Sequence, residues 1–257
     1  MLGVPEERRT ELWDAANDLV RGPKPEDDDA DALGSALTAG ITLSAFGAEI
    51  AAQRRTAPKD DLLTRLVEAE VDGHRLSDEE IGAFVVLLGV AGNDTTRNTI
   101  SQGVLAFADA PDQWDHLRSD PEQHLGSAVE EIVRWASPVL TFRRTATQDT
   151  EVAGQPVREG DWLVMFYASG NRDESVFDDP WTFDITRSPN DHVAFGGGGL
   201  HYCLGANLAR CQLRSVFGEL ASRVERFDLG APELLTSAFV HGVESLDCTF
   251  VPDRATA

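Results

Sequence analysis

Apolar residues recur at helical spacing through the first half of the chain. Between residues 5 and 20, Leu12, Ala16 and Leu19 repeat at intervals of four and three residues, which predicts an amphipathic helix. Residues 21–25 contain one glycine and two prolines and are predicted to end this helix. The same periodicity predicts further helices over about residues 32–55, 61–70, 78–110, 127–135 and 205–224.

The helix predicted over residues 78–110 is the longest, and its first half is apolar on nearly every side. Ser77 and Glu80 have the spacing of a capping box, in which each side chain bonds the backbone N–H of the other residue. Every residue from Phe84 to Leu88 is apolar, and a helix that is apolar all round is buried. At about 1.5 Å per residue this helix is roughly 50 Å long. We therefore predict a long, buried, central helix.

The second half of the chain contains β patterns. Strands are predicted over residues 139–145, 151–152 and 161–167, with a turn at residues 153–154. Residues 171–191 are rich in proline and aspartate and predict an ordered segment without regular elements. Because 257 residues can bury one sizeable core, we expect a single domain that is mainly α with a small β portion.

The net charge is strongly acidic. The chain has 44 acidic and 22 basic side chains and a formal charge of −22. Nucleic-acid binding requires a basic footprint, so we expect no nucleic-acid partner and interpret the charge as a well-solvated surface. No apolar run reaches the roughly 18 residues of a membrane-spanning helix, and no signal peptide is visible. We expect a cytoplasmic protein without stable membrane insertion.

The three cysteines are too few for a disulfide framework. Cys211 and Cys248 are expected to be small buried hydrophobes. Cys203 instead follows a run of four glycines and directly precedes a predicted helix, a position that favours the thiolate. Glycines let the backbone approach a flat ligand closely, and a thiolate on haem iron helps to cleave the O–O bond. His201 is placed to reach a haem propionate.

Three other interpretations of this glycine loop remain open. A phosphate-binding loop requires Lys followed by Ser or Thr after the glycines, where this chain has Leu200 and His201. A zinc site built from His192, His201 and Cys203 lacks the usual paired ligand spacing. The glycines can also be purely structural.

A second motif places polar residues in the middle of the long apolar helix. Asp94 and Thr95 lie there, and a buried acid is costly unless it is paired or used. The Thr95 hydroxyl can bond the carbonyl of Ala91 and open the helix, which creates a polar groove suited to a diatomic ligand and a proton relay. The alternative is a polar kink without chemistry.

A third motif, Glu-x-x-Arg, lies in the helix predicted over residues 127–135. Glu131 and Arg134 stand at i and i+3 and can pair on one helix face. In isolation such a pair is more often exposed to solvent, but here it precedes the β segment, which favours a functional motif.

The three motifs, in this order, resemble those of the cytochrome P450 family, from about Leu2 onward. Asp94 and Thr95 look like the family's oxygen-activation pair, which bonds dioxygen and delivers protons. Glu131 and Arg134 look like its ExxR motif, completed by Arg187. The resemblance implies an axial iron ligand at Cys203, further haem contacts at Arg144, Phe195, Gly198, His201 and Gly205, and substrate contacts at Leu87, Val90, Ala91, Val139, Thr141, Phe239 and Val240. The apolar members of the last set fit a plain core equally well.

The resemblance also implies a fold, a cofactor and a reaction. The fold is that of a cytochrome P450, with the oxygen-binding helix over about residues 78–110 and the haem-binding loop over residues 195–205. The cofactor is haem b, with electrons from NAD(P)H through a reductase and a ferredoxin, and the reaction inserts one oxygen atom of O2 into a C–H bond. The nearest resemblance is to actinobacterial enzymes that oxidise terminal methyl groups of methyl-branched lipids and sterol side chains. That subgroup shares the eight steps from Phe195 to Cys203, where the family usually has seven.

The family's N-terminal region has no counterpart in this chain, so we expect residues 1–257 to form one partial domain. One alternative is therefore a truncated haem-binding remnant without turnover. Another is a peroxide-driven peroxygenase. Asp94 and Thr95 argue against the peroxygenase, because a proton relay is needed when dioxygen is the oxidant.

Overall fold

The computed structural model describes residues 2–21 and 29–253. The break predicted at residues 21–25 lies outside these ranges except for Arg21. A short 3-10 turn over Glu6–Arg8 leads into the first helix. The α-helices are α1 Arg9–Val20, α2 Asp29–Thr56, α3 Leu62–Glu68, α4 Asp78–Asp109, α5 Pro111–Ser119, α6 Pro121–Ala136, α7 Tyr167–Gly170 and α8 Ala206–Arg223. The expectation of a mainly α fold is confirmed.

The strands of the described residues are short and pair in antiparallel twos. They are β1 Glu70–Val71, β2 His74–Arg75, β3 Thr141–Thr145, β4 Thr150–Val152, β5 Gln155–Val157, β6 Trp162–Phe166, β7 Val224–Leu229, β8 Glu233–Leu234, β9 Val243–Ser245 and β10 Cys248–Pro252. The pairs are β1 with β2, β3 with β6, β4 with β5, β7 with β10 and β8 with β9.

The chain divides into two compact units, and the boundary falls within α4 after Asp94. The first unit buries a core of apolar side chains from α1, α2, α3 and the start of α4, among them Phe46, Leu63 and Ile81. A Cβ built on Gly47 would lie 2.8 Å from the Cα of Gly82, and one built on Gly82 would lie 2.6 Å from the carbonyl oxygen of Ser44. The backbones of α2 and α4 therefore touch at these two glycines.

The start of α4 follows the predicted capping box. The Ser77 N–H donates to the Glu80 carboxylate at 2.8 Å, and the Glu80 N–H donates to the Ser77 hydroxyl at 3.2 Å. The prediction that this helix is buried on every side is wrong, because Leu87 is 55% exposed. Within the described part of the first unit, α2 covers the side of α4 that carries Gly82 and Val85, and Leu87 points elsewhere.

The helix α2 is apolar along much of its length. It begins at Asp29, slightly before the predicted start, and its segment Leu33–Thr56 is long and apolar enough to cross a membrane by length and composition alone. Its residues Leu43 and Ile50 are buried in the core of the first unit, and the core helix of a globular unit passes the same test.

The second unit is centred on aromatic side chains. The Phe107 ring lies with its centroid 5.0 Å from Trp114, 5.2 Å from Phe183 and 5.7 Å from Phe217. These contacts join α4, α5 and α8 to the irregular segment after α7, because each ring comes from a different one of them. The predicted irregular character of residues 171–191 is confirmed.

Several elements of the structure were not predicted. The helix α5 was missed, and α6 begins at Pro121 rather than at Ser127, because a proline at the first helical position can start a helix. The hairpin of β1 and β2, the strand β5 and the strands after α8 were also missed. Their pairs are only two to five residues long in most cases, too short for a clear alternation of apolar and polar positions.

Candidate functional site

The loop that carries Cys203 is held by backbone hydrogen bonds. The Cys203 N–H donates to the Phe195 carbonyl at 2.9 Å, and the Tyr202 N–H donates to the Gly199 carbonyl at 3.1 Å. Gly205 is the N-cap of α8, which begins one residue later. The Cys203 side chain is exposed. The sequence therefore closes a loop over residues 195–203 and presents the thiol just ahead of a helix N-terminus.

The glycines of this loop are required by its backbone. Gly196, Gly198 and Gly199 have φ values of 94°, 97° and 77°, which lie in the region that L side chains rarely adopt. A Cβ built on Gly198 or Gly199 would meet no described heavy atom within 4 Å. The backbone conformation of the loop therefore requires glycine. The space around Gly198 and Gly199 is open.

The residues of the loop fit an iron porphyrin. The exposed Cys203 would supply a soft sulfur ligand, and the exposed Leu200 and Leu204 would supply an apolar surface for a flat macrocycle. His201 is exposed in the same loop, and Arg144 is exposed on β3, so both are available to propionate groups. Arg144 donates from Nη1 to the Arg143 carbonyl at 3.0 Å.

The same surroundings do not fit zinc. Among the residues that the structure describes, no three His, Cys, Asp or Glu side chains form a group that could hold a metal ion. His192, one of the three candidate ligands, contacts Glu130 through Nε2 at 3.1 Å and accepts the Ala194 N–H at Nδ1. Both of its ring nitrogens are therefore engaged.

The other two cysteines differ from expectation. Cys211 and Cys248 are both exposed, so the prediction that they are buried hydrophobes is wrong. Cys211 lies on the outward face of α8, whose inward face carries the buried Leu213 and Phe217. Partial burial nevertheless raises the pKa of the Cys248 thiol.

Glu131, Arg134 and Arg187 come together in the second unit. Arg134 binds the Glu131 carboxylate through both Nε and Nη2, at 2.7 and 2.8 Å, and neither side chain is exposed. Arg187 Nε lies 3.3 Å from the same carboxylate. The alternative of a solvent-exposed pair is therefore wrong.

Glu131 and Arg134 make further hydrogen bonds besides those to each other. Glu131 also accepts the Asp184 N–H at 2.9 Å and the Asn190 amide at 3.0 Å. Arg134 donates from Nη1 to the carbonyls of Asn171 at 2.8 Å and Pro180 at 2.9 Å. The irregular segment after α7 is thus tied to α6 through one ion pair, and Asn171 and Asn190 are partners that sequence reasoning missed.

A second ionic group, also missed, lies beside the first. Glu130 accepts hydrogen bonds from Arg210 Nε at 2.7 Å and Arg210 Nη2 at 2.9 Å, and it contacts His192 as described above. Burial alone would raise the pKa of Glu130, but hydrogen bonds from His192 and Arg210 outweigh it and lower the pKa to about 2. Glu130 is therefore a carboxylate at neutral pH.

Asp94 and Thr95 are adjacent residues of α4, on either side of the boundary between units. Asp94 is fully buried, and Thr95 is half-buried. The Thr95 carbonyl accepts the Thr99 hydroxyl at 2.7 Å. The helix α4 continues through residues 91–96, where we expected Thr95 to open it.

The predicted substrate residues fall into two groups, one in each unit. In the first unit, Leu87 and Ala91 are exposed and Val90 is half-buried. In the second, an isolated β-bridge joins Val139 to Val240, the Thr141 hydroxyl donates to the Ala238 carbonyl at 3.4 Å, and the Phe239 ring contacts Phe142 with centroids 5.5 Å apart.

Comparison with known proteins yields a family match and several curated relatives. The cytochrome P450 family model matches residues 42–234. A steroid C26-monooxygenase of Mycolicibacterium smegmatis is 44% identical over 245 residues, which cover 95% of this chain and 56% of that protein. A methyl-branched lipid omega-hydroxylase of Mycobacterium tuberculosis is 46% identical over 253 residues, which cover 97% of this chain and 58% of that protein. The chain thus spans a little over half the length of these relatives.

A solved structure of a cytochrome P450 also matches this chain. A Mycobacterium marinum cytochrome P450 in complex with pseudoionone is 48% identical and superposes with a TM-score of 0.90. The match covers 97% of this chain and 61% of that one.

Proposed function

Because this chain belongs to the cytochrome P450 family, we propose that it forms the haem-thiolate part of a monooxygenase. The observation that carries the proposal is the exposed Cys203 at the end of an open glycine loop, directly ahead of α8. When bound, haem b supplies the activation of dioxygen and the insertion of one oxygen atom into a C–H bond.

The residues of this chain would hold that cofactor in distinct ways. Cys203 supplies the thiolate for the iron, favoured by the positive end of α8. Arg144 and His201 bind propionates, and Gly198 lets the backbone approach the macrocycle because no side chain intervenes. Phe195 accepts the Cys203 N–H and so sets where the loop turns. Glu131 and its two arginines maintain the fold and take no part in the reaction.

Asp94 and Thr95 are proposed to move protons. A hydroxyl at Thr95, beside a buried acid, can hold a proton and pass it on, which a dioxygen-dependent reaction requires. The peroxide-driven alternative would not need this pair.

Replacing the Thr95 hydroxyl tests this role. Thr95→Ala should leave haem binding unchanged but divert reducing equivalents from product to hydrogen peroxide, because proton transfer by a positioned group is typically worth about 10²–10⁴-fold. The measurement is product and peroxide formed per NAD(P)H consumed, in the protein supplied with ferredoxin and its reductase, with Thr96→Ala as the matched control. Unchanged coupling in Thr95→Ala would leave Thr95 without a proton-delivery role.

We propose a hydrophobic substrate of the methyl-branched lipid or steroid class. The relatives named as steroid and methyl-branched lipid oxygenases support this class. Apolar side chains predominate at the positions proposed to contact substrate, Leu87, Val90, Ala91, Val139, Thr141, Phe239 and Val240. Electrons are proposed to come from NAD(P)H through a ferredoxin and its reductase, in the cytoplasm, with no nucleic-acid partner.

The substrate class is tested by binding and turnover. The haem-loaded protein should show a Soret shift with a steroid that carries an alkyl side chain or with a methyl-branched fatty acid, and a smaller one with a straight-chain acid of equal length. Hydroxylation should occur at a terminal methyl group. An equal response to the straight-chain control would reject the branched-lipid proposal.

A second proposal is a haem-binding chain without turnover. The exposure of Leu87, which is proposed to contact substrate, supports it, because a substrate pocket is lined by enclosed apolar side chains. Haem binding by residues 1–257 without oxidation of either lipid class would favour it over the monooxygenase.

A further inference from the structure

Glu130, His192 and Arg210 connect three separate segments of the second unit. Glu130 lies on α6, His192 lies in the irregular segment before the glycine loop, and Arg210 lies on α8 beyond it. Arg210 binds the Glu130 carboxylate at 2.7 and 2.9 Å, and His192 Nε2 lies 3.1 Å from the same carboxylate. The carboxylate therefore sits between a cation that follows the Cys203 loop and an imidazole that precedes it.

The imidazole is held in one orientation. His192 Nδ1 accepts the Ala194 N–H at 3.3 Å, so this nitrogen carries no hydrogen and Nε2 donates to Glu130. The His192 side chain is only 4% exposed. This arrangement fixes the chain immediately before Phe195, because His192 is bonded both to Glu130 and to its own neighbouring backbone.

The guanidinium of Arg210 reaches both ends of the Cys203 loop. Its central carbon lies 4.4 Å from the centroid of the Phe195 ring, and Nη1 lies 3.5 Å from the Tyr202 hydroxyl. Phe195 is the residue whose carbonyl accepts the Cys203 N–H, and Tyr202 directly precedes Cys203. An ion pair that orients Arg210 therefore also orients the residues on either side of the loop.

We propose that Glu130, His192 and Arg210 are positioning residues that fix the Cys203 loop in the geometry needed for thiolate ligation of haem iron. The inference rests on the proposed function of Cys203, because the loop needs a fixed geometry only if its thiolate binds iron. Hydrogen bonding of ligand-bearing segments by outer residues is how metal sites are generally kept in place. The low pKa of Glu130 agrees with this role, since the carboxylate that binds Arg210 persists through neutral pH.

The first measurement uses the haem-free chain. Hydrogen exchange of the peptide that contains the Tyr202 and Cys203 amides should accelerate about fivefold in Glu130→Gln and in Arg210→Gln, and less than additively in the double variant, because the two side chains act through one contact. Peptides from the paired strands β7 and β10 serve as the internal reference. Arg214→Gln is the matched control, since Arg214 is an exposed arginine one turn further along α8.

The second measurement uses haem-loaded protein. Glu130→Gln and Arg210→Gln should shift the ferrous carbon-monoxide complex from the thiolate-type spectrum toward the form without a thiolate ligand, and Arg214→Gln should not. If exchange rose as much in the β7 and β10 peptides as in the loop peptide, the variants would have lost stability generally, and the inference would be overturned. Normal exchange of the loop together with an unchanged thiolate spectrum would also overturn the inference. A chain that binds no haem would instead contradict the proposed function, and the exchange data would still report on the network.

Discussion

At the scale of single residues, the carboxylate of Glu131 is fully buried and bonded by several partners in the second unit. It is bonded by two side-chain nitrogens of Arg134, by the Asn190 amide and by the Asp184 N–H. A buried charge is tolerated only when its partners compensate for lost hydration. These bonds join α6 to the irregular segment, and we propose that the role of Glu131 is structural.

Removing this carboxylate should be strongly destabilising. Glu131→Ala leaves the buried Arg134 without its counter-charge, which typically costs about 3–5 kcal/mol. The measurement is the free energy of unfolding in urea, with Glu219→Ala as the control because it breaks an exposed pair with Arg223 on α8. That control should lose about 1 kcal/mol or less. Equal losses in the two variants would contradict the assigned role.

Glu130 makes a prediction about pH. Its folded pKa of about 2 lies below the ordinary value of 4.5, so its contribution to stability is present above pH 4.5 and is lost as the pH falls toward 2. The difference in free energy of unfolding between the native chain and Glu130→Gln should be constant near neutrality and shrink over that interval. A difference that stayed constant down to pH 2 would show that Glu130 does not titrate with its ion pair.

At this scale the sequence predicted functional residues that stand close together in the chain. Asp94 with Thr95, Glu131 with Arg134, and His201 with Cys203 all belong to short motifs. It missed the Glu130 group, because His192 and Arg210 stand 62 and 80 residues away from Glu130. No local spacing encodes such a contact, so only the fold reveals it.

At the scale of elements, the close approach of α2 and α4 depends on glycine. Gly82→Ala would place a methyl group 2.6 Å from the Ser44 carbonyl oxygen, which is backbone and cannot turn aside. Overpacking of this kind typically costs about 1–3 kcal/mol. Gly34→Ala, on an exposed turn of α2 with no heavy atom within 4 Å of the new methyl group, should be neutral or stabilise the helix by about 0.5–1 kcal/mol.

Thermal unfolding of the two glycine variants checks this prediction. The first unit should lose stability in Gly82→Ala and not in Gly34→Ala. If Gly82→Ala unfolded at the same temperature as the native chain, the direct contact of the two helix backbones would be refuted.

Element prediction succeeded where a local signal is strong. The capping box of Ser77 and Glu80 marks the start of α4, and the helical periodicity over residues 205–224 predicts α8. It failed for α5, a nine-residue helix with a largely polar composition, and for the short strand pairs, whose register depends on partners distant in sequence. The burial of α4 was also misjudged, since apolar composition does not say which neighbours cover each side.

At the scale of the whole molecule, the chain matches relatives along nearly all of its own length but only part of theirs. It covers 56% of a steroid C26-monooxygenase and 58% of a methyl-branched lipid omega-hydroxylase. The stretch it covers contains the glycine loop with Cys203, the pair Glu131 and Arg134, and the pair Asp94 and Thr95. The haem-thiolate assignment can therefore be tested on this chain, whereas the oxidised substrate is a property of the whole protein.

The ferrous carbon-monoxide spectrum of haem-loaded residues 1–257 tests most directly whether Cys203 is the iron ligand. Cys203 and Cys211 are both exposed, and they differ in that Cys203 ends the glycine loop while Cys211 lies within α8. If Cys203 binds the iron, the native chain and Cys211→Ser give a thiolate-type spectrum, and Cys203→Ser loses it. A thiolate-type spectrum that survives in Cys203→Ser would contradict the assignment of Cys203 as the iron ligand.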